Sequence, residues 1–149
     1  MSDTAEIRIV EASRVIAAPP EVVFEQIADP AKQPAWDGND NLGQAPEGQR
    51  VHATGEVFSM ALTSGAIREN HVVEFEEGRR IAWMPAEAGG APIGQLWRWE
   101  LEPEGAGTRV THTYDWSELH DEPRLERARG TRAENLLASI DRLAALLEG

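Results

Sequence analysis

The sequence predicts an α+β fold in which a wide antiparallel sheet curls around one long C-terminal helix. Three observations carry that expectation. An alternating, β-branched run near the start is cut by Pro19-Pro20 and followed by short helical patterns. Residues 42–116 read as successive strands between turn signals, and the residues from about Glu122 onward carry the spacing of an amphipathic helix. Strands grouped between segregated helices indicate α+β rather than alternating βαβ units. One helix is too narrow to cover six or seven flat strands, so the sheet must bend to bury its inner face.

Residues 6–17 (EIRIVEASRVIA) place Ile7, Ile9 and Val15 on one parity and Val10 and Ile16 on the other, a strand with both faces partly covered. Pro19 and Pro20 end it, because neither donates to a ladder. Proline nevertheless suits a helix's first turn, where the missing N–H has no partner anyway. Glu21 sits at the positive end of that helix, Val23, Phe24, Ile27 and Ala28 share one face, and Asp29-Pro30 stops it. Residues 31–36 make a second helical turn, and Asp37-Gly38-Asn39-Asp40-Asn41 is dense turn chemistry. Strands are expected over 42–45, 50–62, 66–76 and 80–84, with Glu77-Gly78 turning the last two into a hairpin. Residues 85–94, rich in Gly, Ala and Pro, read as a loop. Residues 95–102 (QLWRWELE) and 108–116 (TRVTHTYDW) alternate clearly and form the last hairpin around 103–107. In the closing helix Leu125, Leu136, Ile140, Leu143 and Leu147 recur with Leu137 and Ala144 beside them, and Gly130 bends the first half.

At 149 residues and 41% hydrophobic content the chain makes one domain, 1–149, with an ordinary core. Its net charge of −12 repels phosphate backbones and anionic membrane surfaces, which excludes nucleic acid as a partner; solubility is the simplest use of that charge. The absence of Cys excludes disulfides and thiolate chemistry. No run of about 18 apolar residues is available for membrane insertion, and MSDTAEIRIV lacks the basic and apolar regions of a secretory signal, so a cytoplasmic location is expected. The histidines, His52, His71, His112 and His120, lack HxxxH or HxH spacing. The run Asp37 to Asp40 lacks the rest of a calcium loop, and Gly89-Gly90 lacks the Lys-Ser/Thr of a phosphate loop. No metal and no cofactor are expected.

The stretch IAAPPEVVFEQIADPAKQPAWDG (16–38), together with VVEFEEGRRIAW (72–83), GTRVTHTYDW (107–116) and the Leu-rich closing helix, resembles the START-like, helix-grip superfamily, also called SRPBCC. Within it the chain is most similar to the polyketide cyclase/dehydrase and lipid transport group. The resemblance implies a seven-stranded curved antiparallel sheet gripping the C-terminal helix, two short helices after strand 1 closing one end, and an elongated apolar cavity inside. It also implies a small hydrophobic or aromatic ligand of lipid or polyketide type. No invariant catalytic set is transferred by it.

If Trp97, Trp99 and Leu101 point inward, then Val110, His112, Tyr114 and Trp116 on the next strand do too. Trp97 and Trp99 are therefore expected to stack on a flat ligand, with Trp83 on the same wall and Trp36 sealing the end. Glu69 and His71 share the parity of Val73 and Phe75, the apparent inner set of their strand, and form a candidate acid/base or orienting pair. In cyclising members of the superfamily, cavity polar groups orient a poly-ketone and move protons, and His112 and Tyr114 have the chemistry for that. Arg129 and Arg132 extend the helix stripe towards the mouth, where a guanidinium binds a carboxylate or enolate. Three functions stay open: a binder of a small apolar or aromatic molecule, a cofactor-independent polyketide aromatase/cyclase working through His71, His112 or Tyr114, and an interaction module with a filled core. An open sheet edge is compatible with a monomer or a homodimer.

Overall fold

The computed structural model describes residues 7–148. The elements are β1 (Ile9–Ile16), α1 (Pro20–Ala28), a 3-10 turn (Pro30–Lys32), α2 (Gln33–Trp36), β2 (Leu42–Gln44), β3 (Val57–Leu62), β4 (Ile67–Glu76) and β5 (Arg80–Glu87). They continue with β6 (Leu96–Glu104), β7 (Gly107–Asp115), α3 (Glu122–Arg129) and α4 (Ala133–Glu148). The strands form one seven-stranded antiparallel sheet in the order β1-β7-β6-β5-β4-β3-β2. Helix α4 lies against β1 and β7 and touches α1 and α2. This is the expected helix-grip arrangement. Among the described residues no helix is long and apolar enough to cross a membrane.

Pro20 occupies the first turn of α1, which buries Val23, Phe24, Ile27 and Ala28, so the double proline converts strand into helix. Those side chains join Ile16, Trp36, Phe58, Ile81, Trp99, Val110, Ile140 and Leu143 in the main core. Strand β1 departs from the expectation of two covered faces. Ile7, Ile9 and Val15 are exposed, and only the parity of Ile16 faces the helix.

The strand expected over 50–62 begins only at Val57. Val51 N–H donates to the Ala28 carbonyl, and Arg50 is clamped between Glu25 of α1 (3.0 Å) and Glu77 of the β4–β5 turn (2.7 Å), so residues 50–51 are held off the sheet, which the chain rejoins where Gly55 and Glu56 bond Val72. The loop expected from residue 85 starts later, because β5 runs on to Glu87 paired with Arg68. The single closing helix is two: α3 ends at Gly130, and the Asn135 side chain accepts from the Arg132 N–H (2.8 Å) to start α4 afresh.

The turn after α2 is held by one carboxylate. Asp37 accepts from the backbone N–H groups of Asn39 (3.1 Å), Asn41 (2.7 Å) and Leu42 (2.8 Å). Gly38 donates its N–H to Ser139 Oγ (3.0 Å), and a Cβ there would lie 2.5 Å from the backbone carbon of Ala138. α4 can approach this turn only because residue 38 has no side chain. Gly38→Ala is expected to destabilise the fold by about 1–3 kcal/mol through forced separation of turn and helix. Urea unfolding measures it: the midpoint drops at unchanged slope, and an unaltered midpoint contradicts the packing described.

Candidate functional site

Strand register builds the concave face row by row. Trp83, Trp97 and Tyr114 are successive cross-strand partners on β5, β6 and β7, and one row deeper Ile81, Trp99 and His112 are aligned in the same way. On β4 the same face carries Arg68, Asn70 and Val72, paired with Glu87, Pro85 and Trp83. Between this face, the turn after α2, helix α3 and the start of α4 lies a cleft of about 930 Å³. Its sheet side is aromatic, from Trp83, Trp97 and Tyr114, with Met60 and Leu62 beside them. Its helix and turn side is polar, from side chains such as Asn41, Asn135 and Ser139. Exposed residues at its rim, among them Ser64, Pro123 and Arg127, open it to solvent.

The aromatic wall is a stack. The Trp97 ring lies 4.1 Å from that of Tyr114 at 23°, and Trp99 lies 3.7 Å from the imidazole of His112 at 15°. Trp36 meets Trp99 edge-on at 5.1 Å and donates its indole N–H to the Gln26 carbonyl (2.9 Å), which fixes the closed end. His112 Nδ1 is 3.0 Å from the Arg98 carbonyl. A carbonyl only accepts, so Nδ1 carries the proton and Nε2 carries a lone pair that no described group engages. Burial lowers the His112 pKa from 6.5 to about 4, outweighing the opposing effect of the Arg98 carbonyl, so the ring is neutral at pH 7. The Tyr114 hydroxyl receives the Gln95 side-chain N–H (2.9 Å). Burial raises the Tyr114 pKa, while Gln95 and the positive charge of Arg127 pull the other way.

The residues singled out in the sequence fall in three places. Trp83, Trp97, His112 and Tyr114 line the cleft. Trp99 is wholly buried beneath it, packed between Trp36 and His112, and does not reach the cleft. Glu69, His71 and Arg132 lie elsewhere. A bulge at Val73 puts two residues of β4 against one step of β5, which inverts the side-chain parity between Phe75 and the start of the strand. Phe75 points into the core as expected, but Glu69 and His71 are thereby turned to the outer face, where Glu69 accepts from the Gly89 N–H (2.8 Å). Arg132 is exposed on the break between α3 and α4, because the stripe counted through Gly130 belongs to two helices. Arg129 sits over the Trp116 ring instead. Arg124 and Arg127 of α3 reach the mouth, and Arg68 and Asn70 supply the polar groups of β4. The alternation Arg68-Asn70-Val72 was present in the sequence, masked by the more apolar alternation ending at Phe75. Among the described residues no three His, Asp or Glu side chains are grouped to hold a metal ion.

The family described as polyketide cyclase/dehydrase and lipid transport matches residues 8–148. The chain belongs to that family. Solved structures share its fold at low identity. Protein CV1439 from Chromobacterium violaceum is 21% identical with a TM-score of 0.67, over 95% of this chain and 98% of its own. MLL2253 from Mesorhizobium loti is 21% identical at 0.69, over 95% and 97%. DynU16, a putative protein of the dynemicin biosynthetic locus, is 18% identical at 0.67, over 96% of this chain and 48% of its own. No curated protein matches the chain by sequence.

The neutral imidazole ties this family member's stability to pH. Its native pKa lies below the unfolded value, so the unfolded chain takes up a proton between pH 6.5 and about 4 that the folded chain refuses. Stability therefore falls as pH drops through that window, by roughly 3 kcal/mol once the ring is fully protonated. Urea unfolding of wild type and His112→Phe at pH 7 and pH 4.5 isolates the effect. The loss between the two pH values is expected to be about 2 kcal/mol smaller in the variant; equal losses refute the buried neutral ring.

Proposed function

We propose that the cleft binds a small molecule carrying a flat aromatic or lipid-like apolar part, held against Trp83, Trp97 and Tyr114. The observation that carries the reading is Trp97. It is only partly buried, its ring is stacked on Tyr114, and it lines the cleft at the centre of the aromatic row. Family membership supports the same reading, as does the origin of a structural neighbour in the dynemicin biosynthetic locus. An interaction module with a filled core is disfavoured by the volume of the cleft.

Apolar burial alone gives a weak binder. A ligand hiding about 300 Å² of apolar surface gains roughly 7 kcal/mol at about 25 cal/mol per Å². Association removes about 4 kcal/mol or more of that, leaving affinity in the millimolar range. Polar contacts must supply the rest. Calorimetric titration with 2-naphthol tests the aromatic contact: wild type binds, and Trp97→Ala weakens binding about tenfold through loss of stacking and burial. Unchanged affinity in the variant, or no binding by wild type, sinks the proposal.

A second reading, proton transfer on a bound poly-ketone, is favoured by the fixed tautomer of His112, which presents a lone pair rather than an N–H at Nε2. Under it, Tyr114→Phe abolishes cyclisation of a poly-β-ketone substrate while leaving its binding within about twofold, since the stacked ring is retained. Parallel loss of turnover and binding points back to a pure binder.

A further inference from the structure

Most arginines of this acidic chain are matched with carboxylates. Arg14 pairs with Asp141 (2.9 Å), Arg50 with Glu25 and Glu77, Arg98 with Glu74 (2.6 Å), and Arg124 with Glu87 (2.7 Å) and Asp121. Two arginines that line the cleft are not. Arg68 has no hydrogen-bond or ion-pair partner among the described residues, although Glu87 is its cross-strand neighbour, because that carboxylate reaches across to Arg124 instead. Arg127, on the helix side, meets only the side-chain oxygen of Asn41 (3.2 Å). The acids on this rim offer no substitute: both oxygens of Asp37 are held by backbone N–H groups, and Asp40 lies near Arg142.

A third group points the same way. Asn70 sits two residues from Arg68 on the cleft-facing parity, is 6% exposed, and has a side-chain amide that no described group bonds. The residue is largely covered, yet its amide atoms stay accessible from the cleft, where a ligand can meet them. Same-face rows along a strand are about 7 Å apart. Asn70 is thus one row outward from the row of Val72 and Trp83, and Arg68 is one row further. From the inside outward the wall reads aromatic, amide, guanidinium.

We propose that the cleft selects an aromatic acid, whose ring lies on Trp83 and Trp97 and whose carboxylate is received by Arg68 and the Asn70 amide, with Arg127 closing from α3. This rests on the aromatic-binding reading above and specifies its ligand class. The planar fork of a guanidinium matches a carboxylate, and both Arg68 and Arg127 are at hand without first breaking an ion pair.

The test compares 2-naphthoate with its neutral counterpart 2-naphthamide by calorimetry at pH 7, on wild type, Arg68→Gln, Arg127→Gln and the double variant. The acid is expected to bind wild type about tenfold tighter than the amide, the size of one hydrogen-bonded charge contact. In the double variant the preference for the acid over the amide disappears, and continued binding of the amide reports an intact cleft. Equal affinities of acid and amide in wild type, or a preference that survives the double substitution, overturn the carboxylate site and leave the aromatic reading standing. If neither compound binds wild type, both readings fall together.

Discussion

The mismatch between one helix and seven strands governs this molecule. α4 has 16 residues and is therefore about 24 Å long and about 10 Å across. Seven strands at about 4.8 Å spacing span about 29 Å before curling. The helix is placed at the β1–β7 end, where Arg14 ties it by Asp141 and Glu148. The remaining concave surface is left to α1, α2 and α3. α1 and α2 seal the deep end with Phe24, Ile27 and Trp36, and the part that none of them covers is the cleft. The double proline matters for this reason: it turns the chain off the sheet early enough to make the plug.

Curling also constrains what lies on the outside. Ala82 is fully buried although it faces away from the cleft, because Glu74 and Arg98 join over it from the strands on either side at 2.6 and 2.8 Å. The small side chain between two long ones lets a bidentate ion pair span three strands. That contact holds Glu74 below the usual carboxylate range and Arg98 above its own. It rigidifies β6 at the residue whose carbonyl orients His112, so the outer ion pair and the inner imidazole share one stretch of backbone.

The antiparallel hairpin of β6 and β7 was legible in the sequence because its alternation is unbroken. Trp97 with Tyr114, Trp99 with His112 and Leu101 with Val110 are all cross-strand partners. Elements whose form depends on a tertiary tether were not legible. Residues 50–56 have strand-like composition, yet Glu25 and Glu77 capture Arg50, and residues on distant elements decide that. Parity on β4 failed for a different reason: one inserted residue at Val73 reverses every side chain beyond it, and composition alone does not reveal a bulge. The same reversal hid Arg68 and Asn70 and promoted Glu69 and His71. Trp99 shows a third limit, since periodicity reports which face a residue takes but not how deep it lies.

Net charge and local charge act on different length scales here. A chain of −12 repels an anion at long range, but that repulsion is screened beyond about 8 Å at physiological ionic strength. Inside the cleft the count is reversed, because Glu87 is engaged by Arg124 and Asp37 by the backbone, while Arg68 and Arg127 lack carboxylates. The overall field therefore governs how fast a charged molecule arrives, and the side chains within bonding distance govern whether it stays. A surplus of acid in the sequence is thus compatible with a cleft whose unmatched groups are cationic.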